Sequence, residues 1–163
     1  MQKEQLERTF AWFRARPGRI AALKCANAVC TGAAYAAFCA EVAVRLARRD
    51  GVVLRLVLTC GVSFVLLSLV RALLDRPRPY EVYGLPPLLP KDTRGKSFPS
   101  RHVFSICVIG TSLLYLTPWL GVVLLALGAV LAVCRVVSGV HFERDVLVGA
   151  ALGILSGMIG FSI

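Results

Sequence analysis

Residues 119–145 read WLGVVLLALGAVLAVCRVVSGVHFERD, an apolar run that ends in arginine, histidine and aspartate. The part before Ser138 is long enough to cross a bilayer, which takes about 20 apolar residues. Ionisable side chains are costly at membrane depth, so Arg135, His141 and Asp145 carry more information than the apolar positions around them. The stretch therefore predicts a membrane helix with ionisable residues gathered at one membrane face.

Four further apolar stretches occur along the chain, at residues 20–46, 52–74, 102–117 and 145–163. The 102–117 stretch meets the 119–137 run at a proline, which suits the first turn of a new helix and so predicts a tight helical hairpin. Apolar residues make up 57% of the 163 positions, more than one soluble core of this size would bury. We predict an all-α fold: a single membrane-embedded domain over residues 1–163, with about five transmembrane helices. Such an integral membrane protein is expected in a bacterial cell membrane.

The N-terminal segment, residues 1–18, has a different pattern. Leu6, Phe10 and Phe13 recur at helical spacing, and charged residues cover the other side. This pattern predicts an amphipathic helix lying along the membrane surface; a soluble, frayed tail is the alternative. The segment is charged throughout and is followed by no small-residue cleavage site, so we do not expect a secretory signal peptide.

The net charge indicates the partners of the chain, and its cysteines and small residues indicate how its helices pack. The net charge of +10 indicates contact with anionic headgroups of the bilayer, and no motif suggests a nucleic-acid partner. The six cysteines lie inside apolar spans without zinc or disulfide spacing, so we predict small buried residues. Small residues at 32–37 and 149–160 predict close helix packing. No feature indicates an oligomeric state.

Counting membrane crossings places the polar residues on one face, here called side A; the opposite face is side B. If the first span begins on side A, the later spans end or begin there at Arg71, His102, Arg135 and Asp145. The loop 75–101 lies on the same side, and its prolines predict an extended rather than a helical chain. A loop this long in a small protein is more often functional than a plain linker. We predict that it covers an active site.

The side A residues fit an anion better than a metal ion. Several guanidinium groups near two histidines would repel a divalent cation, which argues against a His/Asp metal site. Arginine forks match phosphate oxygens, and a helix start after Pro99 would add backbone NH groups. The predicted phosphate-binding residues are Arg71, Arg78, Ser100, Arg101 and Arg135.

The two histidines can divide the chemistry between them. His141 and Asp145 are four residues apart, so on a helix the carboxylate would fix the tautomer of the imidazole and stabilise developing positive charge. His141 is then a candidate nucleophile. His102, from a different helix on the same face, could protonate the departing oxygen. Each histidine alone is more often structural; together with the arginines they predict phosphate chemistry.

The residues resemble the three-part phosphatase motif of the superfamily of type 2 phosphatidic acid phosphatases (PAP2) and vanadium haloperoxidases. Its first element, a Lys, six residues and Arg-Pro, corresponds to Arg71–Pro79, with arginine in the place of lysine. The second, Pro-Ser-Gly-His, corresponds to Pro99–His102, with Arg101 in the place of glycine. The third, Arg, five residues, His, three residues and Asp, corresponds to Arg135–Asp145, preceded by Cys134 instead of the usual serine.

The resemblance implies a small membrane-embedded lipid phosphatase that needs no metal or other cofactor. His141 would form a phosphohistidine, Asp145 would orient it, and His102 would protonate the leaving group and later activate water. The arginines and Ser100 would hold the phosphoryl oxygens. Polyprenyl diphosphate, phosphatidate and phosphatidylglycerophosphate are the expected classes of lipid substrate.

Two other functions use the same residues. Arg101 lacks the conformational freedom of the family glycine, which motivates the alternative of a non-catalytic membrane protein that binds anionic lipid or a partner in this basic pocket. A vanadate-dependent haloperoxidase shares the pocket but suits a soluble enzyme.

The distribution of basic residues around the first span favours a cytoplasmic side A, whereas the resemblance favours the opposite face.

Overall fold

The computed structural model describes residues 2–90 and 94–162. Within these ranges the chain is helical, without strands, as predicted. The helices are α1 (Lys3–Arg14), α2 (Pro17–Ala47), α3 (Val52–Leu74), α4 (Pro79–Tyr83), α5 (Arg101–Leu116), α6 (Pro118–Val137) and α7 (Glu143–Ser162). Residues 1, 91–93 and 163, which the predicted domain includes, lie outside the described residues.

Most of the predicted membrane spans have the expected length. In the described part of the chain, α2, α3, α6 and α7 are long and apolar enough to cross a bilayer. Helix α5 has only 16 residues, or about 24 Å at 1.5 Å per residue. Every residue from Val103 to Leu113 is buried, so α5 is the centre of the bundle and the longer helices surround it. The predicted polytopic bundle is confirmed.

Glycines of α7 allow it to lie directly against α5. A Cβ at Gly149 would lie 2.6 Å from the carbonyl oxygen of Ser100, and one at Gly153 would lie 2.6 Å from that of Phe104. The predicted close packing is therefore present at α7. It is absent at Gly32, where an added Cβ would meet nothing within 4 Å. The contact brings the first turns of α5 and α7 to the same end of the bundle.

The N-terminal segment forms the predicted helix, but its apolar side packs on protein. Leu6 and Phe10 of α1 are buried. The backbone of Gly139 has a φ of +75°, and a Cβ there would lie 2.6 Å from the ring of Phe10. Arg14 also donates a hydrogen bond of 2.8 Å to the carbonyl of Pro86. Helix α1 thus covers the α6–α7 turn and part of the proline-rich loop.

The prediction of an extended loop is wrong at α4. Pro79 occupies the first turn of this short helix, a position that needs no backbone NH. The carboxylate of Glu81 accepts the backbone NH of Arg78 at 2.8 Å and secures the start of the helix. The proline-rich loop is therefore a folded segment rather than a stretched one.

Two smaller predictions had different outcomes. The hairpin is confirmed, because α5 ends one residue before Thr117 and α6 begins one residue after it. The prediction that all cysteines are buried is wrong for Cys25 and Cys39, which are exposed on α2. Few residues of α2 are buried, since this helix packs along one side only.

Candidate active site

A cavity of about 210 Å³ lies where α3 ends and α5 begins. Six residues in its wall carry a guanidinium or ammonium group: Arg71, Arg78, Arg94, Lys96, Arg101 and Arg135. His102 and His141 also line it. Six of the eight predicted site residues therefore share one cavity, whereas Ser100 and Asp145 do not line it. We call the buried cations Arg71, Arg78 and Arg135 the inner set, and the exposed cations Arg94, Lys96 and Arg101 the outer set.

The inner-set arginines of α3 and the loop bind backbone carbonyl groups. Arg71 donates to the carbonyls of Lys96, Ser97 and Pro99. Arg78 donates to the carbonyl of Gly95 at 2.9 Å and to that of Val140 at 3.1 Å. These bonds fix the segment before α5 against the turn after α6. The two arginines consequently shape the cavity as well as charge it.

Arg135 is the inner-set arginine of α6. Its Nη1 donates to the side-chain oxygen of Asn27 at 3.2 Å, and its Nε has no hydrogen-bond partner among the described residues. No carboxylate within residues 2–90 and 94–162 pairs with any inner-set guanidinium group. Buried charges that have only neutral partners are costly. An anion in the cavity would remove that cost.

The loop that contacts the inner set has an unusual backbone at Gly95 and Lys96, whose φ angles are +63° and +51°. A Cβ at Gly95 would lie 2.4 Å from a carboxylate oxygen of Asp75. The same carboxylate accepts the backbone NH of Lys96 at 3.1 Å, and Glu81 accepts that of Gly95 at 3.0 Å. Two carboxylates thus hold the NH groups of this segment, which leaves its carbonyls to the arginines.

His141 and Asp145 are joined through a third residue. The distance from His141 Nδ1 to Asp145 Oδ2 is 3.7 Å, too long for a good hydrogen bond. The hydroxyl of Ser97 lies between them and donates to Asp145 Oδ2 at 2.5 Å, with 3.5 Å between its oxygen and His141 Nδ1. Sequence reasoning missed Ser97. Its only signal is its place two residues before Pro99, because no spacing rule relates it to His141.

The environment of His141 favours the neutral imidazole. Burial is the main cause that lowers the pKa of His141 to about 4; the nearby positive charges of Arg135 and Arg78 act in the same direction, and Asp145 opposes them. A neutral imidazole has a free lone pair on one ring nitrogen. Because Nδ1 faces Ser97 and Asp145, Nε2 is the nitrogen left for reaction.

The remaining predicted residues differ in exposure. Asp145 is fully buried, and its Oδ2 also accepts the backbone NH of Phe142 at 3.0 Å. The backbone NH of Ser100 donates to the carbonyl of Asp145 at 2.8 Å, but its hydroxyl is buried without a partner among the described residues. A phosphate-binding role for Ser100 therefore stays a prediction. His102 is half-buried in the cavity wall.

Arg101 lies at the border of the charged cavity. Its guanidinium carbon is 5.4 Å from the ring centroid of Phe64. Phe64 lines a second, apolar cavity of about 230 Å³ between α2, α3 and α5, together with Phe38 and Val108. Arg101, which departs from the family motif, thus lies between the cation-lined cavity and the apolar cavity.

Fold and site together define an integral membrane protein with a cavity at one end of the bundle that is lined by six cationic side chains and two histidines. The sequence profile of the PAP2 superfamily matches residues 52–163. The chain belongs to the PAP2 superfamily, and the predicted family is confirmed. Helices α1 and α2 precede the matched region.

Similar proteins support this assignment. The chain is 34% identical over 84 residues to lipid A 1-phosphatase from Porphyromonas gingivalis, an alignment that covers 48% of this chain and 19% of that relative. The chain therefore spans about a fifth of the length of the curated relative it matches. The crystal structure of Aquifex aeolicus LpxE is similar with a TM-score of 0.66 and 25% identity, covering 84% of this chain and 86% of that one.

A second solved structure has the same fold. It is the first transmembrane PAP2 type phosphatidylglycerolphosphate phosphatase from Bacillus subtilis, with a TM-score of 0.64 and 22% identity. The match covers 96% of this chain and 90% of the other. At this identity the likeness concerns the fold alone, and it extends over α1 and α2 as well.

Proposed function

We propose that this protein is a metal-independent phosphatase that removes a phosphate group from a membrane lipid through a phosphohistidine intermediate. The observation that carries the proposal is the inner set: three buried arginines without a carboxylate partner in the described residues, around a cavity that His102 and His141 also line. A phosphoryl group is the anion whose oxygens match arginine forks.

The first step is the attack of His141 Nε2 on phosphorus. A nitrogen–phosphorus bond forms, and the bond between phosphorus and the lipid oxygen breaks. The Ser97 hydroxyl and the Asp145 carboxylate lie on the Nδ1 side of the ring, where they hold the Nδ1–H tautomer and stabilise the positive charge that develops on the imidazole. His102 gives a proton to the departing oxygen.

The second step returns the enzyme to its starting state. His102, now neutral, takes a proton from water, and the water oxygen attacks the phosphohistidine. Inorganic phosphate leaves, and His141 is again neutral. The inner-set arginines face the equatorial oxygens in both steps, and this preorganised positive charge accounts for much of the rate in such a transfer.

The substrates we propose are lipids with a phosphate at the membrane surface. Polyprenyl diphosphate, phosphatidate and phosphatidylglycerophosphate are the candidates from the sequence, and the Porphyromonas gingivalis relative adds the 1-phosphate of lipid A. The bacterial sources of the similar proteins support a bacterial cell membrane as the location. The enzyme would draw its substrate directly from that bilayer.

The test is phosphate release by the purified protein in detergent with excess chelator, across a panel of these lipids. We expect release from at least one lipid, and a loss of at least about a thousandfold in His141→Ala. Release that needs added divalent metal would contradict the mechanism. So would an unchanged rate in His141→Ala.

The non-catalytic alternative gives a different result in the same assay. Lipid binding that persists in His141→Ala and His102→Ala, with no release by the wild type from any lipid, would identify a binding protein. Arg45→Ala is a suitable control for loss of an arginine, because Arg45 lies at the other end of α2, away from the cavity.

A further inference from the structure

Helix α2 precedes the region that matches the family profile, yet one of its side chains reaches the inner set. Asn27, the single asparagine of the chain, accepts a hydrogen bond of 3.2 Å from Nη1 of Arg135. Three buried residues share its side of α2 at helical spacing: Leu23, Cys30 and Ala34. Asn27 therefore lies on the stripe of α2 that faces the bundle, where the stripe passes Arg135.

The hydrogen bond to Asn27 uses only part of the Arg135 guanidinium group. That group is planar, and its NH donors point in fixed directions. A hydrogen bond at Nη1 therefore restricts the orientation of the whole plane. Nε of Arg135 is buried and has no hydrogen-bond partner among the described residues, and Arg135 lines the charged cavity. Asn27 thus restrains Arg135 while the donor at Nε is left for a phosphoryl oxygen.

The chemistry of Asn27 matters as much as its position. An amide oxygen accepts a hydrogen bond but carries no net charge, so Arg135 keeps its positive charge for an anion. A carboxylate at the same place would restrain the guanidinium group equally well. It would also cancel much of the positive charge in the cavity and repel a phosphoryl group. A neutral acceptor is the partner that restrains the arginine without competing with the substrate.

We propose that Asn27 is a positioning residue of the active site, an inference that rests on the phosphatase function proposed above. Asn27 holds the guanidinium group of Arg135 through a neutral acceptor, so that the arginine is both oriented and charged when the phosphoryl group binds. It acts through Arg135, because Asn27 itself does not line the cavity. Helix α2 thereby contributes to a site whose cavity wall comes from residues 68–141.

Two substitutions of Asn27 separate orientation from charge. Asn27→Leu has nearly the same shape but lacks the acceptor, so Arg135 loses its restraint while its charge remains. We expect kcat to fall about tenfold with little change in KM. Asn27→Asp keeps the acceptor and adds a negative charge, so KM for the lipid and the inhibition constant of inorganic phosphate should each rise about tenfold.

Thermal unfolding distinguishes positioning from a plain structural role. The unfolding midpoint of Asn27→Asp should be at or above that of wild type, because the buried charge of Arg135 gains a carboxylate partner. The variant should therefore bind phosphate more weakly without being less stable. A residue that only holds α2 against α6 would change activity and stability together.

Lys24→Gln is the matched control for charge. Lys24 lies one turn from Asn27 on α2, is exposed and does not line the cavity, and Lys24→Gln lowers the net charge by one, as Asn27→Asp does. It should leave kcat, KM and the inhibition constant of phosphate within about twofold of wild type.

The assay is phosphate release by the full chain in detergent, with the lipid of the panel that the wild type hydrolyses fastest. Unchanged kcat in Asn27→Leu, or unchanged KM and phosphate inhibition in Asn27→Asp, would overturn the positioning role and leave the phosphatase function intact. So would a lower unfolding midpoint in Asn27→Asp that accounts for its loss of activity. No release by the wild type from any lipid of the panel would overturn both.

Discussion

Arg45 and Arg135 lie near opposite faces of the membrane and have opposite kinds of partner. Arg45, at the side B end of α2, donates to Glu41 at 2.7 Å and to Asp50 at 2.9 Å. Its third donor binds the carbonyl of Leu116 at 3.0 Å. Arg135, at the side A end of α6, is more deeply buried and binds only the amide oxygen of Asn27 among the described residues.

The difference shows that a charge at membrane depth does not by itself mark a binding site. At side B, Arg45 has the carboxylates of Glu41 and Asp50 beside it, and Glu41 also accepts a hydrogen bond of 3.1 Å from Thr117. This cluster ties α2 to the α5–α6 hairpin. At side A the inner-set guanidinium groups have neutral partners, so positive charge is left for a ligand. Pairing with carboxylates, more than burial, separates Arg45 from the inner-set arginines that we propose bind phosphate.

Among the variants that test this comparison, Arg135→Gln has the largest expected effect on rate. Arg135→Gln should lower phosphate release by roughly a hundredfold to a thousandfold, the usual loss when one preorganised donor to a transition state is removed. Arg45→Gln should leave the rate per folded molecule within about twofold of wild type. It should instead lower the thermal unfolding midpoint by several degrees, because Glu41 stays buried without its partner.

Turnover and thermal unfolding in detergent, measured on the same preparations, decide this comparison. A loss of rate in Arg45→Gln as large as that in Arg135→Gln would break the distinction between the two faces. The distinction would also fail if Arg135→Gln lost much of its stability while the folded variant kept full activity.

A smaller effect is expected at Ser97. Ser97→Ala should lower kcat about tenfold with little change in KM, because the hydroxyl orients His141 without touching substrate. Ser97→Thr, which retains the hydroxyl, should recover part of the rate. Ser138→Ala is the matched control: Ser138 is equally buried in the neighbouring turn, and its hydroxyl donates to the carbonyl of Arg135 at 3.1 Å. Equal losses in the two alanine variants would remove Ser97 from the site.

The smallest expected effect concerns the protonation state of the His141 ring. In the folded protein His141 should stay neutral from pH 8 down to about 5, since its pKa is lowered to about 4, against about 6.5 in an unfolded chain. The stability from burying the neutral ring is then fully present above pH 6.5 and is lost as the pH falls through 4. The chain has two histidines, so nitrogen NMR of His102→Gln observes His141 alone. A transition near pH 6.5 would contradict the buried neutral ring.

Much of the fold and the site could be predicted from sequence. The membrane spans follow from composition, and counting crossings places Arg71, His102 and Arg135 on one face. Both predictions rest on properties of the bilayer. A spanning helix needs about 20 apolar residues, and an ionisable side chain at membrane depth is costly. The spacing of His141 and Asp145 likewise follows from the geometry of one helix.

Other features depend on contacts between distant segments, which spacing does not encode. Ser97 reaches His141 from a loop 44 positions away, and the apolar side of α1 packs on Gly139 rather than on lipid. The fold of the loop around α4 depends on Glu81 and Asp75, whose carboxylates hold backbone NH groups. Sequence reasoning assigned no role to these two carboxylates.

The central claim is that His141 carries the phosphoryl group, and direct detection of that group tests it. The protein would be mixed with a ³²P-labelled lipid that supports turnover, quenched with base and digested, because phosphohistidine survives base but not acid. In wild type quenched within the first turnover, we expect label on the peptide that contains His141, and no label in His141→Gln. Label that persists in His141→Gln, or a first turnover by the wild type without any labelled peptide, would contradict the phosphohistidine mechanism.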